Sequence, residues 1–210
     1  MGLIHVDEFV TLDGVAQAPG GPDEDPENGF RFGGWQAPLF DDEVGEAVGA
    51  GLAELDALLL GRRTYDIFAA YWPHHTEGPD GSIGTLFDRV PKYVASRGTP
   101  ELPWRGSTLL RPDLPAAVRE VRERHEHVHV IGSLDLVQTL VAERLLDELN
   151  LWVYPIVLGS GKRVFEQGAV PTSLRLVEPP RASRNGALLL RYALLPGEPA
   201  AGDMTQASGR

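Results

Sequence analysis

The sequence predicts an α/β domain with a mainly parallel central sheet and helices on both of its faces. Short apolar runs alternate with amphipathic segments through the first 150 residues, the pattern of strand–helix–strand units. The runs that read as strands stop at small or turn-forming residues, as at Gly61, Ser96 and Gly132-Ser133. Late in the chain, Asn185-Gly186 separates two further apolar runs, a hairpin signal that adds antiparallel strands at one edge. A length of 210 residues suits one domain with a substantial core.

Each element has its own reason. Leu3 to Val10 reads as the first strand, closed by Leu12-Asp13-Gly14. Residues 15–40 form a loop dense in glycine and proline, too long for a simple connection, and its Phe30, Phe32, Trp35 and Phe40 predict a lid that packs on the domain. Asp41-Asp42-Glu43 opens a helix with Val44, Val48, Leu52 and Leu55 on one face. Ala57 to Leu60 is the second strand, followed by a short helix over Thr64 to Ala70. Lys92 to Ala95 makes a short buried strand. Asp113 caps a helix that turns Leu114, Val118 and Val121 inward and pairs Glu120 with Arg124. Val128 to Ile131 is another strand, and the next helix carries Leu136, Val137, Leu140 and Val141. A strand through Leu149, Leu151 and Val153 puts Trp152 and Tyr154 on its other face as packing or interface residues. Leu174 to Val177 and Ala187 to Leu194 flank the hairpin turn. The domain is expected to span 1–195, with 196–210 a flexible tail.

Composition narrows the function classes. Thirty acids against nineteen Lys and Arg give a formal charge of −11, which argues against nucleic acid and anionic membranes as partners. The absence of cysteine excludes disulfides, thiol chemistry and thiolate metal sites, and suits a cytoplasmic protein. No leader pattern and no apolar stretch of membrane-spanning length is expected. The partner left over is a small molecule.

Leu58-Leu59-Leu60-Gly61-Arg62-Arg63-Thr64-Tyr65 says which kind. A buried strand that opens through glycine into a basic, hydroxyl-bearing helix start is a place to hold phosphate, because backbone amides and the helix dipole point outward there. In open α/β sheets ligands bind beyond the carboxyl ends of the strands. Here those ends deliver Gly61 to Thr64, Ser96-Arg97 and Gly132-Ser133 to one rim.

The same stretch, Leu59 to Tyr65, resembles the strand-to-helix motif of dihydrofolate reductase. Thr11-Leu12-Asp13-Gly14, Gly132-Ser133, Asp147-Glu148-Leu149 and Pro155 to Phe165 are similar to the reductase domain of the bacterial riboflavin-pathway deaminase/reductase. The resemblance runs in order from Leu3 to Leu195. It implies a dihydrofolate-reductase-like three-layer fold that uses NADPH to reduce a small heterocyclic (pyrimidine- or pterin-like) or carbonyl substrate. It also implies a homodimer built through the late strands. Carried over, Arg62 and Arg63 would lie by the 2′-phosphate or pyrophosphate, with Thr64 capping the helix, Ser96 and Arg97 completing the 2′-phosphate pocket, and Gly132, Ser133 and Leu134 admitting the pyrophosphate. Trp35 would belong to the lid. A stand-alone reductase is the reading, since the deaminase half needs cysteine ligands. The other reading is a nucleotide- or ligand-binding protein that keeps the fold without turnover.

Hydride transfer leaves a proton to supply. Asp13 at the end of the first strand is one candidate, and Asp41 or Asp42 beside the lid is the counterpart implied by dihydrofolate reductase; each is also explained as a turn or helix-start acid. Gly159-Ser160-Gly161-Lys162 is not a Walker loop, because Ile156 and Arg163 stand where glycine and Ser/Thr are required. Gly159, Gly161 and Phe165 are instead expected on the substrate side of the cleft, where Lys162 and Arg163 either meet a substrate phosphate or stay solvated. His125, His127 and His129 alternate as ligands on one strand face would, although plain strand entry explains them better than metal, and no metal is expected.

Overall fold

The computed structural model describes residues 1–203. Its strands are β1 (Leu3–Thr11), β2 (Ala57–Gly61), β3 (Lys92–Ala95), β4 (Ser107–Leu109), β5 (His127–Ile131), β6 (Glu148–Tyr154), β7 (Leu174–Leu176), β8 (Arg181–Ala182) and β9 (Leu188–Leu194). The helices are α1 (Asp42–Gly51), α2 (Arg62–Tyr71), α3 (Gly81–Arg89), α4 (Leu114–Arg124) and α5 (Leu134–Ala142). Among the described residues the strands make one sheet in the order β4-β3-β2-β5-β1-β6-β9-β7, with β8 beside β9. From β4 to β6 every pairing is parallel, and β9 runs antiparallel to β6, β7 and β8.

The sheet is covered on both faces, so its central strands are apolar in both directions. Ile4, Val6, Ala57, Leu59, Val128 and Val130 pack with α4 and α5 residues such as Val118, Val137 and Leu140. On the opposite face Leu58, Leu60 and Val94 meet Tyr65 of α2 and Phe87 of α3, while Trp152, Tyr154 and Leu189 pack on Trp35 and Val44. This is the expected three-layer fold, and Trp152 and Tyr154 serve its core.

Several elements depart from expectation. Helix α2 starts at Arg62, so both arginines are helical. Helix α3 was hidden by Gly81 and Gly84, poor helix formers. A β-carbon on Gly84 would lie 2.0 Å from the His75 carbonyl oxygen, so the residue that masks the helix is the one that lets it pack. Glu120 pairs with Arg111 of the preceding loop in place of Arg124. The Asn185-Gly186 turn joins β8 to β9, whereas Leu174–Leu176 pairs with the far end of β9. The stretch after 195 begins tied down, with Arg144 donating to the carbonyls of Leu195 and Gly197; residues 204–210 of the expected tail lie outside the described residues. No helix among the described residues is long and apolar enough to cross a membrane.

Lys92, 0 % exposed at the start of β3, donates to the carbonyls of Asp88 at 2.9 Å and Arg105 at 3.1 Å and sits 4.2 Å from the Trp104 ring centroid. Burial lowers its pKa from 10.5 to about 8. Between those values the unfolded chain holds a proton that the folded chain has released, so stability rises with pH across that window. The rise is of order 2–3 kcal/mol. Urea midpoints measured across the window check it, and Lys92→Met should flatten the slope.

Candidate functional site

The rim is built where β2, β3 and β5 end. The Gly61 amide donates to Ser133 Oγ at 2.9 Å, which ties the end of β2 to the turn after β5. Gly132 and Ser133 both have φ of 66°, and a left-handed serine is a strained residue held by its surroundings. With its hydroxyl committed to Gly61, Ser133 leaves the start of α5 without a side-chain cap, and Asp135 in the first turn is the acid nearest the helix's positive end. Ser96 Oγ accepts from the Gly98 amide at 3.1 Å, and the Arg97 side chain is 98 % exposed, with Asp135 no nearer than 3.9 Å. The other two arginines are engaged. Arg62 Nε donates to both oxygens of Asp66 at 2.7–2.8 Å. Arg63 meets the lid carboxylates Asp25 at 2.9 Å and Glu27 at 2.7 Å, which Lys162 also holds, at 2.6 and 2.5 Å.

Beside the rim lies a cleft of about 1390 Å³ between the sheet, helices α1 to α3 and the lid segment 19–24. Side chains alternate along strands, so one face of β1 contributes His5, Asp7 and Phe9 while β5 contributes His127, His129 and Ile131. β6 adds Asn150 and Trp152. Asp7 is the hub of this floor: Oδ2 lies 2.7 Å from His129 Nδ1, and Oδ1 accepts from Asn150 Nδ2 at 2.9 Å. The His5 ring stacks between those of His129 and His127, with centroids 4.7 and 5.5 Å away. Burial, then the His129 ring, lowers the His5 pKa.

A protein-family model described as the RibD C-terminal domain matches residues 3–185. The chain belongs to that family. It is 26% identical over 196 residues to the uncharacterized protein YyaP of Bacillus subtilis (strain 168), covering 90% of this chain and 93% of that one. Among solved structures, a putative riboflavin biosynthesis protein from Shewanella sp. PV-4 superposes with a TM-score of 0.65 at 19% identity, over 92% of this chain and 99% of that one. A diaminohydroxyphosphoribosylaminopyrimidine deaminase/5-amino-6-(5-phosphoribosylamino)uracil reductase from Thermotoga maritima superposes with a TM-score of 0.61 at 16% identity; it matches 92% of this chain and 57% of that longer one. The dihydrofolate-reductase-like fold follows from these likenesses.

Within this RibD C-terminal domain the rim residues Gly61, Arg62, Ser96, Arg97, Gly132, Ser133 and Leu134 gather as the sequence implied. Thr64 does not cap α2. Gly61 is the N-cap, and Thr64 sits inside the helix, where a side chain on Gly132 would meet it at 3.6 Å. The Arg63 charge is matched by Asp25 and Glu27 from a lid far away in sequence.

None of the three proposed proton donors lines the cleft. Asp13 brackets a turn: it accepts from Thr11 Oγ1 at 2.6 Å, the Gly159 amide at 2.9 Å, the Leu158 amide at 3.2 Å and Arg163 at 3.3 Å. The Thr11 hydroxyl leads in holding its carboxyl near pKa 2, which favours the ionised form that these donors bind. Asp13→Asn is expected to cost about 1–3 kcal/mol in urea unfolding. Because the folded pKa is depressed, that contribution fades as pH falls from the ordinary value of 3.8 through 2. Asp41 caps α1, accepting from Val44 at 2.9 Å and, across to the β8–β9 turn, from the Asn185 amide at 2.9 Å. Asp42 is exposed in the first turn of α1, where an acid complements the dipole.

The expected substrate-side residues also move. Trp35 is the exception: it belongs to the lid as expected and packs inward, 6 % exposed, with Nε1 donating to the Gln17 carbonyl at 2.9 Å. Gly159 and Gly161 fasten the base of the lid: at Gly161 (φ 122°) a β-carbon would fall 2.6 Å from Val15 and 2.8 Å from Phe30. Lys162 and Arg163 are paired with Asp25 and Asp13. Phe165 borders a separate hollow beside Val141, Leu146 and Leu149. His125 turns from the strand face to the Tyr93 hydroxyl at 2.9 Å, so the three alternating histidines do not converge; among the described residues no His, Asp or Glu cluster is placed to hold a metal. His5, Asp7 and Asn150 are the site residues that sequence reasoning missed. Their signal was a polar residue at alternate positions, His5 and Asp7 alternating with Ile4 and Val6 on β1 and Asn150 between Leu149 and Leu151 on β6.

Proposed function

We propose that this RibD C-terminal-domain protein is an NADPH-dependent reductase of a small heterocyclic (pyrimidine-like) or carbonyl substrate. One observation supports the reading most: Ile131 lines the cleft and Ser133, two residues on, stands at the start of α5, where no side chain caps the helix. A ligand with phosphates at the rim therefore has its other end at the cleft. The donor set fits a phosphorylated dinucleotide, since Ser133, Leu134, Ser96 and Arg97 offer an uncapped helix start and a solvent-facing guanidinium. Reduced nicotinamide, when bound, supplies a hydride to an electrophilic carbon of the substrate. Arg97 and Ser96 bind the 2′-phosphate, and the lid, held by Trp35, excludes water from the cleft. The heteroatom of the reduced double bond takes up one proton, and the His129–Asp7 pair is the proton-handling group on the floor. A homodimer through the late strands is part of the proposal, read by light scattering.

Calorimetric titration of the full chain with NADPH and with NADH tests the assignment. A Kd of about 1 μM or tighter for NADPH, at least tenfold weaker for NADH, is the expected result. Binding of neither cofactor would overturn it.

A further inference from the structure

The cleft has a chemical preference that the rim does not share. Its lining carries the carboxylates Asp7, Asp23, Glu24, Glu54, Asp66 and Asp80, of which Asp66 is spent on Arg62, Glu54 lies 3.5 Å from His127 and Glu24 accepts from the Gly20 and Gly21 amides. Against them stand Arg181 and Arg191. Both arginines are matched already, Arg181 by Glu178 at 3.7 Å and Arg191 by Glu148 at 3.0 Å and Glu178 at 3.4 Å. The rest of its titratable lining is His5, His127, His129 and Tyr71, whose hydroxyl donates to Asp80 at 2.8 Å. A concave, carboxylate-lined wall focuses negative potential and repels an anion.

The floor adds direction to that charge. Asn150 is 9 % exposed, and its Oδ1 is buried with no hydrogen-bond partner. Turning the amide over offers no relief, because Nδ2 faces the Asp7 carboxylate and the flipped oxygen would oppose it. An unmet buried acceptor costs about 1–3 kcal/mol, so it calls for a donor. Asp7 beside it accepts one bond on each oxygen from the protein, which leaves about half of a carboxylate's acceptor capacity unused. Phe9 and Trp152 line the same floor with rings nearly parallel, 20° apart at 6.5 Å, a flat wall for a flat ligand.

We infer that the cleft takes a planar, unphosphorylated ligand with an N–H donor edge, a neutral or cationic nitrogen heterocycle or amidine, read by Asp7 and Asn150. The inference rests on the cleft being the substrate side of the proposed reductase. It narrows the substrate to molecules without a phosphate ester.

Three probes that share one ring test it: benzamidine, benzoate and phenyl phosphate, titrated calorimetrically into the full chain at low salt. Benzamidine is expected to bind with a Kd of about 1 mM or tighter and the two anions at least tenfold more weakly. Asp7→Asn keeps the shape and removes the charge, and is expected to weaken benzamidine at least tenfold. Asn150→Ala, which leaves Asp7 in place, is expected to weaken it severalfold and carries the reading if Asp7→Asn fails to fold by circular dichroism. Equal binding of all three probes, no benzamidine binding, or benzamidine binding indifferent to the folded variants would each overturn the inference. NADPH titrated into the same samples separates the two readings. NADPH bound with benzamidine refused sinks the ligand class alone, whereas benzamidine held through Asp7 without any NADPH binding removes the reductase and leaves the cleft's preference standing.

Discussion

Trp35→Ala is expected to lower the unfolding free energy by about 3–5 kcal/mol, the usual cost of emptying a large aromatic site. A domain of ordinary stability has only about 5–15 kcal/mol in total. The indole is 6 % exposed, meets Tyr154 edge-on at a centroid distance of 5.6 Å, and shares a cluster with Val44, Ala187 and Leu189. Its removal also strands the Gln17 carbonyl, which accepts the indole N–H at 2.9 Å. The Gln17 side chain in turn donates to the carbonyls of Asp25 and Glu27, so the loss spreads along the lid. Trp35→Phe should recover most of the packing and keep a deficit of about 1–2 kcal/mol for the unmet carbonyl. Urea unfolding followed by circular dichroism measures both. A loss under about 1 kcal/mol for the alanine variant would mean that the lid does not pack on the sheet in solution.

Local signals were legible and distant ones were not. The apolar runs of β1, β2 and β5 read correctly because both sheet faces are covered, and Asp113 reads as a cap because its side chain meets Ala116 three residues on. The rim was legible for the same reason: glycine, hydroxyl and guanidinium groups at strand ends follow from each strand's own residues. Asp41 and Asp42 were ambiguous, since an acid before a helix looks the same whether it caps or catalyses, and only the bonds to Val44 and Asn185 decide for Asp41. The cleft floor depends on register. Asp7 faces Asn150 and His5 faces His129 only because β1 lies between β5 and β6 in one alignment, and nothing in the separate strands fixes it. The pairing of Arg63 is non-local too, made with Asp25 and Glu27 on a loop that no pattern places.

That difference among the arginines sets the expected result of their replacement. Arg97→Ala should weaken NADPH about ten- to hundredfold, the worth of a charge-assisted contact, while NADH changes little because it lacks the 2′-phosphate. Arg97 enters the complex from solvent, with its side chain 98 % exposed and only a loose, solvent-exposed pair with Asp135 at 3.9 Å to surrender. Arg62 must leave Asp66, and Arg63 must leave Asp25 and Glu27, before either turns fully to a phosphate. Each exchange of one anionic partner for another returns less than a new contact does. Arg62→Ala and Arg63→Ala should therefore show smaller losses than Arg97→Ala, and added salt should shrink all three. Calorimetry with both cofactors reads the order. Should Arg63 be the phosphate ligand instead, Arg97→Ala would leave NADPH affinity flat and Asp25→Asn would tighten it, because the lid carboxylate then competes with the cofactor for the same guanidinium.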